Sequence, residues 1–441
     1  MGAFDDAVAV VVGAGVAGAS AARVLAEEGA TVRVSEARDA AVPELVAAGV
    51  DVRSGAHRPE HLDDATLVVV SPGVRPDSPV LAWAAERGLP VWGELELGSR
   101  LARVPYLAVT GTNGKTTTSG MLTACLRASG IDAIACGNIG RPFPATARET
   151  HDVLVVEASS FQLAMQTSFH PRVSVLLNVA EDHLDWHGSF DAYVDAKARI
   201  FANQIGSDVH VGNHDDATSA DVSGRARCDT RWFGAFQPGP GDVGIVDGAL
   251  VAGWSDVALR PSTDDGPVLV DAAAATVAAH AFGIGDDAIA HGLRTYRAEP
   301  HRGEIVVEID GVRFVDNSKA TNPHAAIAAA AGYDRFVLIA GGDAKGVDLS
   351  PLGSLAPRLS GVVAIGAAAG AVRAVFDGKA PVGDASSIEE ATRLAFEMTP
   401  RGGTVLLAPA CASWDMFRDY AERGERFAAA AREIKRQDAR T

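Results

Sequence analysis

Val109-Thr110-Gly111-Thr112-Asn113-Gly114-Lys115-Thr116-Thr117-Thr118 follows the apolar run Tyr106–Thr110 and opens a helical stretch. Strand, glycine turn, Lys-Thr and helix, in that order, make a phosphate-binding loop. Backbone N–H groups from Gly111 to Thr116 point at a ligand at a helix N-terminus. Lys115 would neutralise the β- and γ-phosphates, and the Thr116 hydroxyl would ligate Mg²⁺. Val109 stands where the usual pattern has its first glycine. The bland alternative is a Gly-rich turn carrying a solvated lysine, but the strand–loop–helix context is the one the motif demands.

Outward from this loop, short apolar runs alternate with Ala-rich helical stretches, the signature of α/β domains with parallel sheets. Strands are expected at Ala7–Val12, Thr31–Ser35, Leu67–Ser71, Tyr106–Thr110, Val153–Ala158, Val173–Asn178 and Asp208–Gly212. More are expected at Arg313–Asp316, Phe336–Ala340, Gly361–Ile365 and Thr404–Ala408. Residues 223–267 are rich in Gly, Pro and Asp, with short runs at Arg231–Phe233 and Gly244–Val246, and read as a small antiparallel sheet with loops. Breaks between Gly88 and Val104 and near Glu299–Gly303 divide the chain into domains 1–95, 96–299 and 300–441, each of ordinary size.

The composition bounds the chemistry. Hydrophobic residues make up 47% and charged residues 22% of 441, so sizeable cores need no staple. Against 39 Lys and Arg stand 56 Asp and Glu, a net charge of −17, which argues against a nucleic-acid-coating role. Anionic ligands must be held by local devices. Cys125, Cys136, Cys228 and Cys411 show no CxxC spacing and read as reduced thiols. The acidic N-terminus is unlike a signal peptide, Asp6 departs from a myristoylation motif, and no apolar run reaches the ~18 residues of a membrane helix. The expectation is a cytoplasmic protein without membrane or nucleic-acid partners.

Six further motifs sit at predicted strand ends. Gly13-Ala-Gly15-Val-Ala-Gly18 fits GxGxxG, and Glu36 closes the next strand. The fingerprint does not identify its ligand, so a nicotinamide or flavin oxidoreductase remains open at this point. Glu157-Ala-Ser-Ser-Phe-Gln162 ends a buried strand, where a carboxylate near Mg²⁺ belongs. Asn178-Val-Ala-Glu-Asp-His183-Leu-Asp-Trp-His187 packs three carboxylates and two histidines into ten residues, a weak divalent-metal signal. Asp316-Asn317-Ser-Lys319-Ala-Thr321-Asn322-Pro323 carries an N-cap and a proline at the first helical position. Gly341-Gly-Asp-Ala-Lys345 and Pro409–Tyr420 complete a strand-end cluster, where open α/β sheets bind ligands. Lys197, in the amphipathic stretch Asp191–Asn203, reads by itself as a solvated helix lysine.

Taken in order, GTNGKTTT, GNIGRP, EASSFQL, NVAEDHLDWHG, HRGE, DNSKATN, GGDAKG and APACASWDMF…RGERF resemble the Mur ligases of peptidoglycan synthesis over essentially the whole chain. DHLDWHG and NSKATN resemble most the branch that adds D-glutamate. The resemblance implies an ATP-dependent amide ligase of three domains. Val16, Ala17, Ser35, Glu36, Arg38, Ser71 and Gly73 would bind the UDP part of UDP-N-acetylmuramoyl-L-alanine. Asn138, Ser159, Gln162 and His183 would meet the muramoyl part or the metal edge. Gly111–Thr117 would bind ATP, with Asp271, Arg302 and Asn317 contributing to the nucleotide. Two Mg²⁺ sites would draw on Thr116, Glu157, His183 and a CO₂-carbamylated Lys197. Lys319 would support the reaction, and Thr321, Lys345, Ser413 and Tyr420 would position D-glutamate. The chain would act as a monomer.

Three departures stand out. The family's His-Asn adenine pair is missing, with Asp271 where its second Asn is common. Asn317 stands where a ribose-binding Asp is common, and Tyr420 where Phe is common. A sister ligase for another amino acid or folate, and a degenerate ligase kept as a scaffold, are the remaining alternatives.

Overall fold

The computed structural model describes residues 4–39, 42–261, 266–297 and 300–438. Glu299, at the expected second boundary, lies outside them, as does the Met-Gly start. Among the described residues the strands form three sheets. The first runs Asp51–Arg53, Thr31–Ser35, Val8–Val12, Leu67–Val70, Val91–Gly93, all parallel. The second has nine strands and is centred on Tyr106–Thr110, flanked by Val173–Leu176 and Val153–Glu157. The third has six strands, with Thr404–Leu407 between Val312–Asp316 and Phe336–Gly341, and only the edge strand Glu304–Ile309 antiparallel.

The expected strands all appear, with ends shifted by up to two residues. The stretch 223–267 differs from its reading. Asp229–Gly234 and Val243–Val246 continue the central sheet in parallel, and only Ala249–Ala252 and Ser255–Leu259 turn antiparallel. They are an edge of the nine-stranded sheet rather than a sheet apart. Asp51–Arg53, Val91–Gly93, Ala133–Gly137, Glu304–Ile309 and Val382–Asp384 were not expected. All sit at sheet edges, where one-sided pairing relaxes the demand for a continuous apolar run.

The residues form two compact units. One contains residues 4–39, 42–179, 186–261 and 268–296, and so holds the first two sheets. The other holds 180–185, 266–267, 297 and 300–438. The expected break at residue 95 falls inside helix Glu94–Leu101. Leu95, Leu97 and Leu101 share one core with Val11 of the first sheet and with Leu154 and Phe169 of the second region. Buried Glu96 accepts from the N–H groups of Thr167 and Ser168, both at 2.7 Å, and from the Ser168 hydroxyl at 2.6 Å. Burial alone would raise its pKa, but these bonds and Arg100 hold it below the usual carboxylate value. This helix ties the first sheet to the second by packing and by charge-assisted hydrogen bonds.

The GxGxxG glycines fulfil their steric roles. Gly13 has φ +91°, and a Cβ on Gly18 would lie 1.9 Å from the Gly13 carbonyl oxygen. Helix Val16–Glu27 therefore packs directly on the loop. Gly18→Ala is expected to destabilise the first unit by about 1–3 kcal/mol, the usual cost of overpacking. Chemical denaturation followed by circular dichroism checks this, and an unchanged midpoint would refute the close-packing account.

Candidate active site

The central strand delivers its chain into the loop at Gly111, and helix Lys115–Ala128 leaves it. Gly114 caps that helix with φ +85°, and a Cβ there would lie 2.1 Å from an Asp271 carboxylate oxygen. Asp271 is thus beside the loop. The loop is held from outside. Asn178 Oδ1 accepts the Asn113 N–H at 2.9 Å, its Nδ2 donates to the Asn113 carbonyl at 3.1 Å, and its own carbonyl accepts the Thr112 N–H at 2.9 Å. The Tyr193 hydroxyl meets the Thr112 hydroxyl at 2.9 Å.

Two ammonium groups end on one oxygen. Lys115 Nζ donates to the Gly111 carbonyl at 2.9 Å and to that of Thr112 at 2.9 Å. Lys197 Nζ donates to the same Gly111 carbonyl at 2.7 Å and lies 4.6 Å from the Tyr193 ring centre. Lys197 is 2% exposed, which corrects its reading as a solvated lysine. Helix Phe190–Ala198 turns residues 193 and 197, spaced i and i+4, onto one inward face.

Glu157 ends its strand 1% exposed. Its Oε1 accepts from Asn138 Nδ2 at 2.8 Å, and its Oε2 is buried without a hydrogen-bond partner. A buried, unsatisfied carboxylate oxygen costs stability unless something binds it. Glu157 and the buried Thr116 both offer hard oxygen donors of the kind Mg²⁺ takes, with water and phosphate completing its shell. The segment 178–187 behaves differently from its reading as a metal cluster. Among the described residues no three His, Cys, Asp or Glu side chains gather as a metal cage. His187 stacks on Phe161 and meets Ser160 Oγ at 3.0 Å. Asp182 accepts from Lys345 Nζ at 2.9 Å and Asn322 Nδ2 at 3.1 Å, and its pair with the His183 ring is 3.7 Å.

In the first sheet, Val16, Ala17, Glu36, Arg38, Ser71 and Gly73 line one open cleft of about 730 Å³. Ser35 is not on its wall. That hydroxyl is buried and meets Nδ1 of both His57 and His61 at 2.8 Å. Gln162 is likewise turned inward. It completes a capping box with Ser159, and its Nε2 donates to buried Glu94 at 2.9 Å, so its amide holds helices together instead of facing a ligand.

In the second unit the strand-end loops are laced together. Asn322 caps helix Pro323–Ala329 through the Ala325 N–H at 2.8 Å, as its position predicted. Fully buried Arg423 donates to Ser318 Oγ at 3.0 Å, the Ser318 carbonyl at 2.7 Å and the Cys411 carbonyl at 3.1 Å. Burial lowers its pKa to about 10, so it stays charged at neutral pH. This arginine joins the loop of Asn317, Lys319 and Thr321 to that of Ser413. The Lys319 ammonium lies 5.2 Å from the Tyr420 ring centre. Arg302 keeps a buried Nε with no hydrogen-bond partner. Tyr193, Asn178 and Arg423 were missed as site supports. Asn178 opens the NVAEDHLDWHG motif and Arg423 lies in RGERF, while Tyr193 carried only its four-residue spacing from Lys197.

The loop, its two lysines and the acid beside them define a P-loop nucleotide-binding α/β protein. Comparison with known proteins narrows this. Residues 7–93 match the Mur ligase MurD-like N-terminal domain, 109–237 the Mur ligase middle domain, and 301–411 the Mur ligase glutamate ligase domain. A protein of Frankia casuarinae named UDP-N-acetylmuramoylalanine--D-glutamate ligase is 45% identical, covering 96% of this chain and 93% of that one. Its namesake in Streptomyces avermitilis is 41% identical over 96% and 97%. Among solved structures, a pseudomurein peptide ligase type C from Methanothermus fervidus shares the fold with a TM-score of 0.64 at 20% identity, covering 97% of this chain and 100% of that one. The chain belongs to the Mur ligase family.

Asn178→Ala removes both side-chain bonds to Asn113. The loop is expected to lose order worth about 1–2 kcal/mol, raising KM for ATP roughly tenfold. Steady-state kinetics against ATP check this, and an unchanged KM would refute the bracing role.

Proposed function

We propose that this chain joins D-glutamate to UDP-N-acetylmuramoyl-L-alanine at the expense of ATP, releasing ADP and phosphate, in peptidoglycan precursor synthesis. The observation that carries the reading is the braced loop with two lysines and a buried acid, in a chain similar end to end to D-glutamate ligases. Residues 1–95 take the UDP part, 96–299 take ATP, and 300–441 take D-glutamate. The enzyme works as a cytoplasmic monomer.

A carboxylate is a poor acyl donor. The L-alanyl carboxylate therefore attacks the γ-phosphorus, forming an acyl phosphate and ADP. Lys115 leaves its two carbonyl partners for the phosphates, and positioning supplies most of the remaining rate. Thr116 and Glu157 would hold one Mg²⁺, and a carbamylated Lys197 would help hold a second. The ion supplies charge compensation at the phosphates. Carbamylation turns the Lys197 cation into an anion, which removes the crowding of two ammonium groups at the Gly111 carbonyl. The D-glutamate amine then attacks the acyl carbon and phosphate leaves. Lys319 and backbone N–H groups stabilise the tetrahedral oxyanion. Thr321, Lys345, Ser413 and Tyr420 orient D-glutamate, whose carboxylate takes over Lys345 from Asp182.

Purified protein with Mg²⁺, ATP and UDP-N-acetylmuramoyl-L-alanine is expected to release phosphate with D-glutamate and not with L-glutamate. Equal release with both, or with neither, refutes the assignment. Lys115→Ala should cut turnover at saturating ATP by at least about a hundredfold. Unchanged turnover would remove the loop from the mechanism.

A further inference from the structure

The cleft of the first sheet contains a side chain that its motifs do not foretell. His57 follows strand Asp51–Arg53 and lines the cleft with Gly15, Glu36 and Ser71. Its Nδ1 is 2.8 Å from Ser35 Oγ, and its Nε2 bonds nothing among the described residues.

The neighbours that the fingerprint nominates are already engaged. Glu36 is buried, its Oε2 accepting the Ala14 N–H at 2.7 Å and its Oε1 the Arg38 N–H at 3.0 Å. This acid braces the glycine loop, where the dinucleotide-binding pattern gives it a ribose hydroxyl. The Ser35 hydroxyl is taken by two histidines.

Topology sets which part of a ligand His57 can meet. The sheet order is Asp51–Arg53, Thr31–Ser35, Val8–Val12. In such a sheet the diphosphate lies over the loop after the Val8–Val12 strand, and the sugar lies beyond the next strand. A residue after the outermost strand lies farther out, at the base. Burial lowers the His57 pKa, outweighing the nearby Glu36, so the ring is neutral at pH 7 and suits a base better than a phosphate. Ser35 has one proton for two Nδ1 atoms. One histidine must donate to it while the other accepts. The three groups form a relay that lets His57 Nε2 present either a donor or an acceptor without gaining charge.

We propose that His57 is a recognition residue for the nucleobase, its Nε2 hydrogen-bonding the uracil ring, with Ser35 and His61 setting its tautomer. This rests on the reading of the cleft as the UDP site. Isothermal titration with UDP and with ribose 5-diphosphate, which lacks the base, tests it. His57→Phe should weaken UDP about fivefold, the weight of one neutral hydrogen bond, and leave ribose 5-diphosphate unchanged. His57→Gln, which keeps a polar atom near Nε2, should recover most of the loss. Equal UDP affinity in wild type and His57→Phe, or equal losses for both ligands, would overturn the role of His57. Failure of the wild type to bind UDP at all would instead overturn the cleft reading, and this inference with it. Should His57→Phe not fold, ¹⁵N-histidine NMR of the wild type decides: UDP, and not ribose 5-diphosphate, should shift the His57 Nε2 resonance.

Discussion

Two ammonium groups on the Gly111 carbonyl are the constraint around which the first unit is arranged. In a chain of net charge −17, positive charge for a triphosphate has to be concentrated locally, and Lys115 supplies it at the loop. Lys115 arrives from the helix that the loop opens, and Lys197 from a helix eighty residues later in the chain. Their meeting requires the loop to sit at the end of the central strand, with Val173–Leu176 on one side and Val153–Glu157 on the other. That same placing puts Asn178 and Glu157 against the loop, each at the end of a strand flanking Tyr106–Thr110. The parallel sheet is what gathers these groups, because all three strands end at the same edge.

Much of this was legible in the sequence. The strand–loop–helix units and the capped Asn322-Pro323 helix were readable because each rests on neighbours within a few residues. The buried state of Lys197 was not. Its inward turn depends on packing against a loop more than eighty positions away, and a helix lysine by itself carries no mark of burial. Gln162 and Ser35 failed for a related reason. Gln162 lies inside a family motif and Ser35 ends the strand before Glu36, and neither position says whether its side chain faces a ligand or a neighbour. The edge strands escaped because sheet edges tolerate polar residues and short runs.

The buried acids fall into two kinds. Glu96 and Glu94 have their partners inside the protein and serve the junction between the first two sheets. Glu157 leaves one buried oxygen without any. A folded protein tolerates few such atoms, so the exception points to a site completed by something else. The contrast separates architecture from function more sharply than burial alone, since all three residues are buried.

Several charged groups proposed to meet ligands are satisfied by internal partners. Lys115 rests on two carbonyls, Lys345 on Asp182, and Glu36 on the N–H groups of Ala14 and Arg38. Leaving such charges unpaired in partly buried sites would cost several kcal/mol each, by the ordinary penalty for an uncompensated charge. The resident partners avoid that cost, and they also limit what a ligand gains, because each new ion pair replaces an old one. Binding then depends on the geometry of the whole ligand more than on any single charge. A triphosphate can engage Lys115, the loop N–H groups and a bound cation at once, which two carbonyl oxygens cannot. This exchange lets an acidic protein keep cationic sites folded and selective in the absence of substrate.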